Sequence, residues 1–161
     1  MAGFNTASTM IKVVFILSIL GVILQLVGFA TPYWNNYPSS HRGLWKACHE
    51  TFHGSQCGSY YGEPGWLKAT QAFETLGFIA AVAALILIVL YVFVPATSGK
   101  RIVFILSMVA CFIAAGCILL GIIIYGTKMD YNLSWSFALC CIAGIIFAVA
   151  GLLLAIDFCK R

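Results

Sequence analysis

His49-Glu50-Thr51-Phe52-His53 spells HExxH, the pattern in which a helix sets two histidines on a zinc ion with a glutamate beside them as general base. The chemistry requires both histidines on one helical face and a third ligand from elsewhere. Here the segment lies between Cys48 and Cys57, nine residues apart, and Gly54 follows it directly, so a stable helix is not expected. Gln56 stands where the extended metzincin pattern requires glycine, and His41 is the one remaining histidine. These residues read as polar loop residues between two cysteines, and no metal is assigned. Other chemistries fail on spacing. A quinone-linked disulfide oxidoreductase needs a CxxC pair, whereas Cys140 and Cys141 are adjacent within an apolar run. No glycine-rich phosphate loop, serine nucleophile elbow or carboxylate pair is present. The chain reads as a non-enzyme with no catalytic residue and no cofactor.

The elements around these residues explain why. Of 161 residues, 62% are hydrophobic and only 9% are charged, which excludes both a soluble domain and a disordered chain. Apolar segments at 13–30, 77–94, 102–125 and 137–156 are each long enough, at about 1.5 Å per residue, to cross roughly 30 Å of hydrocarbon. Backbone groups in lipid are satisfied within the segment, so the segments must be helices. Helices are expected at about 13–31, 70–94, 101–125 and 136–157 in a single domain covering 1–161. The first outer loop is then 32–69 and the second 126–135. Lys12 before an apolar run ending Gly28-Phe29-Ala30 also has the outline of a cleavable signal peptide, but the run is long for one. In either case the next loop is exoplasmic.

An even number of crossings puts both termini on one side, with Lys12, Lys100, Arg101, Lys160 and Arg161 at helix ends there. Arg42, Lys46, Lys68 and Lys128 lie on the other side, spread over many more residues. The denser basic side is expected to be cytoplasmic, in a multi-pass protein of the plasma membrane. The net charge of +4 is scattered, with no basic run of the kind nucleic acid requires, so no nucleic-acid partner is expected.

Small and polar residues recur at helical spacing: Ser18, Gly21, Gln25 and Gly28; Gly77, Ala81 and Ala84; Ser107, Ala110, Ala114, Cys117 and Gly121; Gly144, Ala148, Gly151 and Ala155. Lipid provides no hydrophobic drive between helices, so close backbone approach through small residues must hold them together. Four such seams predict a tight, left-handed four-transmembrane-helix bundle with no wide lumen. Gln25 and Glu74 are the strongly polar residues of the outer parts of the first two helices. Glu74 lies near enough to the helix start to reach the interface and reads as a structural or partner-facing group.

The first outer loop is the unusual part. Three of four tryptophans, all three histidines and four of seven tyrosines fall between residues 31 and 66, a concentration that a mere membrane anchor does not need. Cys48 and Cys57 are the only cysteine pair in an aqueous loop, and an oxidising space would join them. Three aromatic pieces, 31–36, 43–49 and 56–61, alternate with Pro38-Ser39-Ser40, Gly54-Ser55 and Gly62-Glu63-Pro64-Gly65. They predict a small extracellular antiparallel β-sheet seated through Trp34, Trp45 and Trp66, with the second loop adding an edge. Tyr37, Phe52, Tyr60 and Tyr61 are candidate interaction residues, with burial beneath the sheet as the alternative. Asn132-Leu133-Ser134 matches the N-glycosylation pattern, close to the membrane, and Cys159 is a juxtamembrane palmitoylation candidate.

Trp34, then Gly43-Leu44-Trp45, then Cys48 and Cys57, in the first outer loop of a four-helix protein, resembles the W-GLW-C-C signature of the claudin superfamily. That superfamily includes peripheral myelin protein, the epithelial membrane proteins, lens membrane protein and the calcium-channel gamma subunits. The similarity covers the chain in topology and about residues 31–76 in motif. The eleven-residue spacing of Trp34 and Trp45, and the stretch from Trp66 to Phe73, look like the peripheral myelin and epithelial membrane branch. Gln71 stands where claudins have arginine. The glycosylation acceptor of that branch is absent before Cys48, and so is a claudin-type C-terminal PDZ ligand. The resemblance implies a structural protein of cell contacts such as tight junctions, serving adhesion, barrier formation or membrane organisation. Its partners would be the bilayer, further copies and homologous proteins on the same or an apposed cell. The alternative it implies is an auxiliary, gamma-like subunit whose partner is an ion channel or receptor.

Overall fold

Long runs of leucine, isoleucine, valine and alanine, free of internal proline, can satisfy their backbone in hydrocarbon only as helices. The computed structural model, which describes residues 9–59, 65–94, 100–128 and 133–159, contains four of them. They are α1 (Thr9–Ala30), α2 (Gly65–Phe93), α3 (Arg101–Lys128) and α4 (Trp135–Cys159), each long and apolar enough to cross a membrane. α2 begins five residues before the expected position 70. Nothing after Gly65 breaks a helix, and Leu67, Thr70, Gln71 and Glu74 extend its buried stripe toward the sheet. Its 29 residues span about 43 Å, well beyond the roughly 30 Å of hydrocarbon.

The helices form a ring in which α1 and α3 each neighbour α2 and α4. Ser18, Gly21, Gln25 and Gly28 make up the buried face of α1 together with Ile11 and Val14. Gly77, Ala81 and Ala84 are likewise buried on α2. The seams of α3 and α4 differ from expectation. Ala110, Cys117, Ala148 and Ala155 are only half-buried, while Ile118 and Phe147 are fully buried. The reason is reciprocal packing: large side chains of α3 and α4 lie against glycines of their neighbours. A Cβ at Gly21 would come within 2.7 Å of Phe147, and one at Gly77 within 2.6 Å of Ile118. Each small residue is thus matched by a large one across the interface, which is how an interior reaches high density. At the end carrying the termini, the Arg101 guanidinium sits 5.0 Å from the Phe158 ring.

At the other end four strands form an antiparallel meander in the order β1 (Asn35–Tyr37), β2 (Ser40–Arg42), β3 (Lys46–Thr51) and β4 (Gly54–Ser59). The reading of Pro38-Ser39-Ser40 as a break between pieces needs revision. Tyr37 pairs with Ser40, so the chain reverses tightly there and Ser40–Arg42 becomes an additional strand. Among the described residues the second loop adds one bridge, Leu133 to Asn35, on the β1 edge.

Candidate functional site

The seat of the sheet is built on Trp34, which is fully buried. Its indole N–H donates to the Gly28 carbonyl at the top of α1 (2.8 Å), and its ring meets Tyr125 of α3 and Phe137 of α4 edge-on at 4.8 and 5.5 Å. One side chain therefore touches three helices. The indole needs a partner for its N–H when buried, and the last turn of a helix offers unpaired carbonyls. Asn35 follows, also fully buried, and its Oδ1 accepts from the Tyr125 hydroxyl. The backbone N–H groups of Ser134 and Ser136 donate to the carbonyls of Trp34 and Tyr33 at 2.9 and 3.2 Å, tying the second loop to the first. The Thr31 and Ser136 hydroxyls are hydrogen-bonded, and Tyr33 stacks between His41 (4.2 Å) and Trp135 (5.1 Å).

The Gly43-Leu44-Trp45 turn is the second attachment. A Cβ at Gly43 would come within 2.6 Å of both the Pro32 Cα and the Thr31 carbonyl oxygen, so only glycine fits that backbone approach. Leu44 is fully buried, and its carbonyl accepts from the Gln71 amide of α2 at 2.6 Å. Trp45, by contrast, remains 41% exposed, with its ring 5.4 Å from Phe29. It covers the outer end of α1 rather than entering the bundle. Trp66 is half-buried, 5.8 Å from Tyr125.

Cys48 and Cys57 face each other across β3 and β4 and are joined by a disulfide. Cys48 is buried and Cys57 exposed, so the bridge lies at the rim of the seat. Beyond it His49 still pairs with Ser40 of β2 and the Glu50 N–H donates to the Ser39 carbonyl at 2.9 Å, and only then does the turn begin. Thr51 pairs with Gly54 around the two-residue loop Phe52-His53, and Gly54 takes φ +104°, a conformation that favours glycine. The Thr51 hydroxyl donates to the Gly54 carbonyl at 2.7 Å and accepts from the His53 N–H at 3.3 Å, so the tip is ordered from within. Phe52 is fully exposed at this tip. Tyr37 is half-buried and borders an open groove with Ser40, Arg42, Ala47 and His49. Tyr60, Tyr61 and Asn132 lie outside the described residues, and Cys159 is exposed at the end of α4.

The HExxH segment is strand and turn rather than helix. His49 and Glu50 are consecutive on β3, where neighbouring side chains point to opposite faces, and His53 is in the loop. His41 lies close to the sulfurs of Cys48 and Cys57, but these are bonded to each other and offer no thiolate to a metal. Glu74 does not reach the interface. Its side chain is fully buried in the bundle beside Gln25, Gly121 and Cys140.

The sequence motif picked out Trp34 and Leu44 but not the polar groups that receive them. Asn35, Gln71 and Tyr125 lie on three different elements, and no local spacing relates them. A tyrosine near the outer end of an otherwise apolar helix was the one available signal, since its hydroxyl must find a partner if buried.

No curated protein matches the chain by sequence. The model of the PMP-22/EMP/MP20/Claudin family matches residues 7–154, which include all four helices up to the last turn of α4 and the whole sheet. With that extent of match, a four-helix ring and a disulfide-bridged outer sheet, the chain belongs to the PMP-22/EMP/MP20/Claudin family.

Proposed function

We propose that this protein is a structural, non-catalytic component of cell contacts in the plasma membrane. In this reading both termini are cytoplasmic and the sheet is extracellular. The bundle holds the sheet for lateral association with further copies and for contact with an apposed cell. The observation that carries it is the contrast within the sheet. One edge is buried in the ends of three helices, while the opposite hairpin presents a fully exposed phenylalanine on an ordered turn. An exposed aromatic on a braced scaffold is a contact residue available at low entropic cost. Tyr37 on the groove edge is proposed as a second contact, Tyr60 and Tyr61 as further ones, Asn132 as a glycan acceptor and Cys159 as a palmitoylation site.

Expression in cells that lack junctions tests this directly. The protein should concentrate where two expressing cells meet, and electrical resistance across the layer should change. Uniform surface distribution, with copurification of a larger channel whose currents change, would overturn the reading in favour of an auxiliary subunit.

A further inference from the structure

The bundle contains a polar site that the sheet and its contacts do not use. Glu74 of α2 is fully buried, as are Gln25 of α1 and Cys140 of α4 beside it. From α3, Gly121 lies so close that a Cβ there would collide with the carboxylate. The Gln25 amide and the Cys140 thiol lie within reach of the Glu74 carboxylate, but neither closes a well-formed hydrogen bond to its oxygens, and Gln25 Oε1 also lacks a donor. Gln25 Nε2 is already directed at the Glu74 main-chain carbonyl oxygen, 3.4 Å away. With the amide in this orientation Oε1 is the end left for the carboxyl group, whereas exchanging the two ends would set Oε1 against the Glu74 main-chain oxygen. The titratable groups around Glu74 are the thiols of Cys140 on α4 and Cys117 on α3; α1 contributes only the neutral Gln25. Among the described residues no lysine, arginine or histidine pairs with it.

An ionised carboxylate in this position would be a buried charge with neither a counter-ion nor a full set of donors, an arrangement that interiors avoid. One proton resolves both deficits, because a carboxylic acid hydroxyl is a donor and Gln25 Oε1 is an acceptor without one. We infer that Glu74 is a proton-binding site, held as the neutral acid and donating to Gln25 Oε1. The bound proton thereby links α1 to α2. The link lies under the seat of the sheet. Gly28, one turn above Gln25, accepts the Trp34 indole N–H, and a Cβ at Gly28 would come within 2.7 Å of the Cys140 sulfur. The proton is therefore part of what fixes the spacing of the helices that receive Trp34.

Infrared spectroscopy of the full chain in lipid nanodiscs at neutral pH tests the site. The wild type should show a protonated-carboxyl C=O band that moves in D2O and is lost in Glu74→Gln. Gln25→Leu should shift that same band by removing its acceptor, and this variant carries the test should Glu74→Gln not fold. Absence of a Glu74-dependent acid band at neutral pH, or a band indifferent to Gln25→Leu, would overturn the inference.

Discussion

The two long edges of the outer sheet obey different rules. On the β1 side, Trp34 and Asn35 have no exposed surface, and their polar atoms are matched to Gly28 and Tyr125. On the other side the tip of the β3–β4 hairpin lies past the last β2–β3 contact, the Glu50 N–H to the Ser39 carbonyl, and its turn is closed by its own Thr51 and Gly54. The 34 residues between α1 and α2 are too few to bury a core of their own, so the sheet borrows one from the helix ends along a single edge. The remainder of the sheet is then free to carry surface chosen for contact rather than for stability. Substitutions in the first region should unfold the loop. Substitutions in the second should leave it folded and alter what it touches.

The largest effect should come from Trp34→Ala. It removes the side chain that joins three helices, and unfolding in detergent micelles should show a loss of about 3–5 kcal/mol. Replacing Cys48 and Cys57 together by serine should cost less, about 2–3 kcal/mol, because the closed loop is short and the seat does not depend on it. That loss should be confined to the hairpin, leaving the helices' thermal transition nearly unchanged. Tyr125→Phe deletes one buried hydroxyl at the seat and should cost about 1–2 kcal/mol by the same unfolding measurement. Phe52→Ser should change stability by no more than about 0.5 kcal/mol while abolishing enrichment at contacts between expressing cells. A Phe52→Ser protein as destabilised as Trp34→Ala would remove the distinction between the edges.

Much of this organisation could be read before the structure. Helix number follows from apolar run length, because lipid leaves the backbone no alternative. The pairing of Cys48 with Cys57 follows from their being alone in an aqueous loop. The α1 seam followed from the spacing of Ser18, Gly21, Gln25 and Gly28, since small residues there can only mean close approach. What could not be read depends on long-range matching. Ile118 and Phe147 are ordinary apolar residues in the sequence, and become seam residues only because glycines of other helices lie opposite. Residue type alone groups Trp45 with Trp34, yet the turn that buries Leu44 leaves Trp45 at the surface. Distance from a helix start at 70 puts Glu74 near the interface; with α2 beginning at Gly65 it lies more than two turns along the helix, on the buried stripe.

Hydrogen–deuterium exchange on the protein in nanodiscs tests the seated edge against the free one most directly. Peptides covering 33–37 and 133–138 should exchange slowly, because the Ser134 and Ser136 amides donate to the carbonyls of Trp34 and Tyr33, and Trp34, Asn35 and Ser136 are buried. Peptides covering 51–54 should exchange orders of magnitude faster. Equal rates across the sheet, or a seat that exchanges as fast as the hairpin tip, would contradict the account.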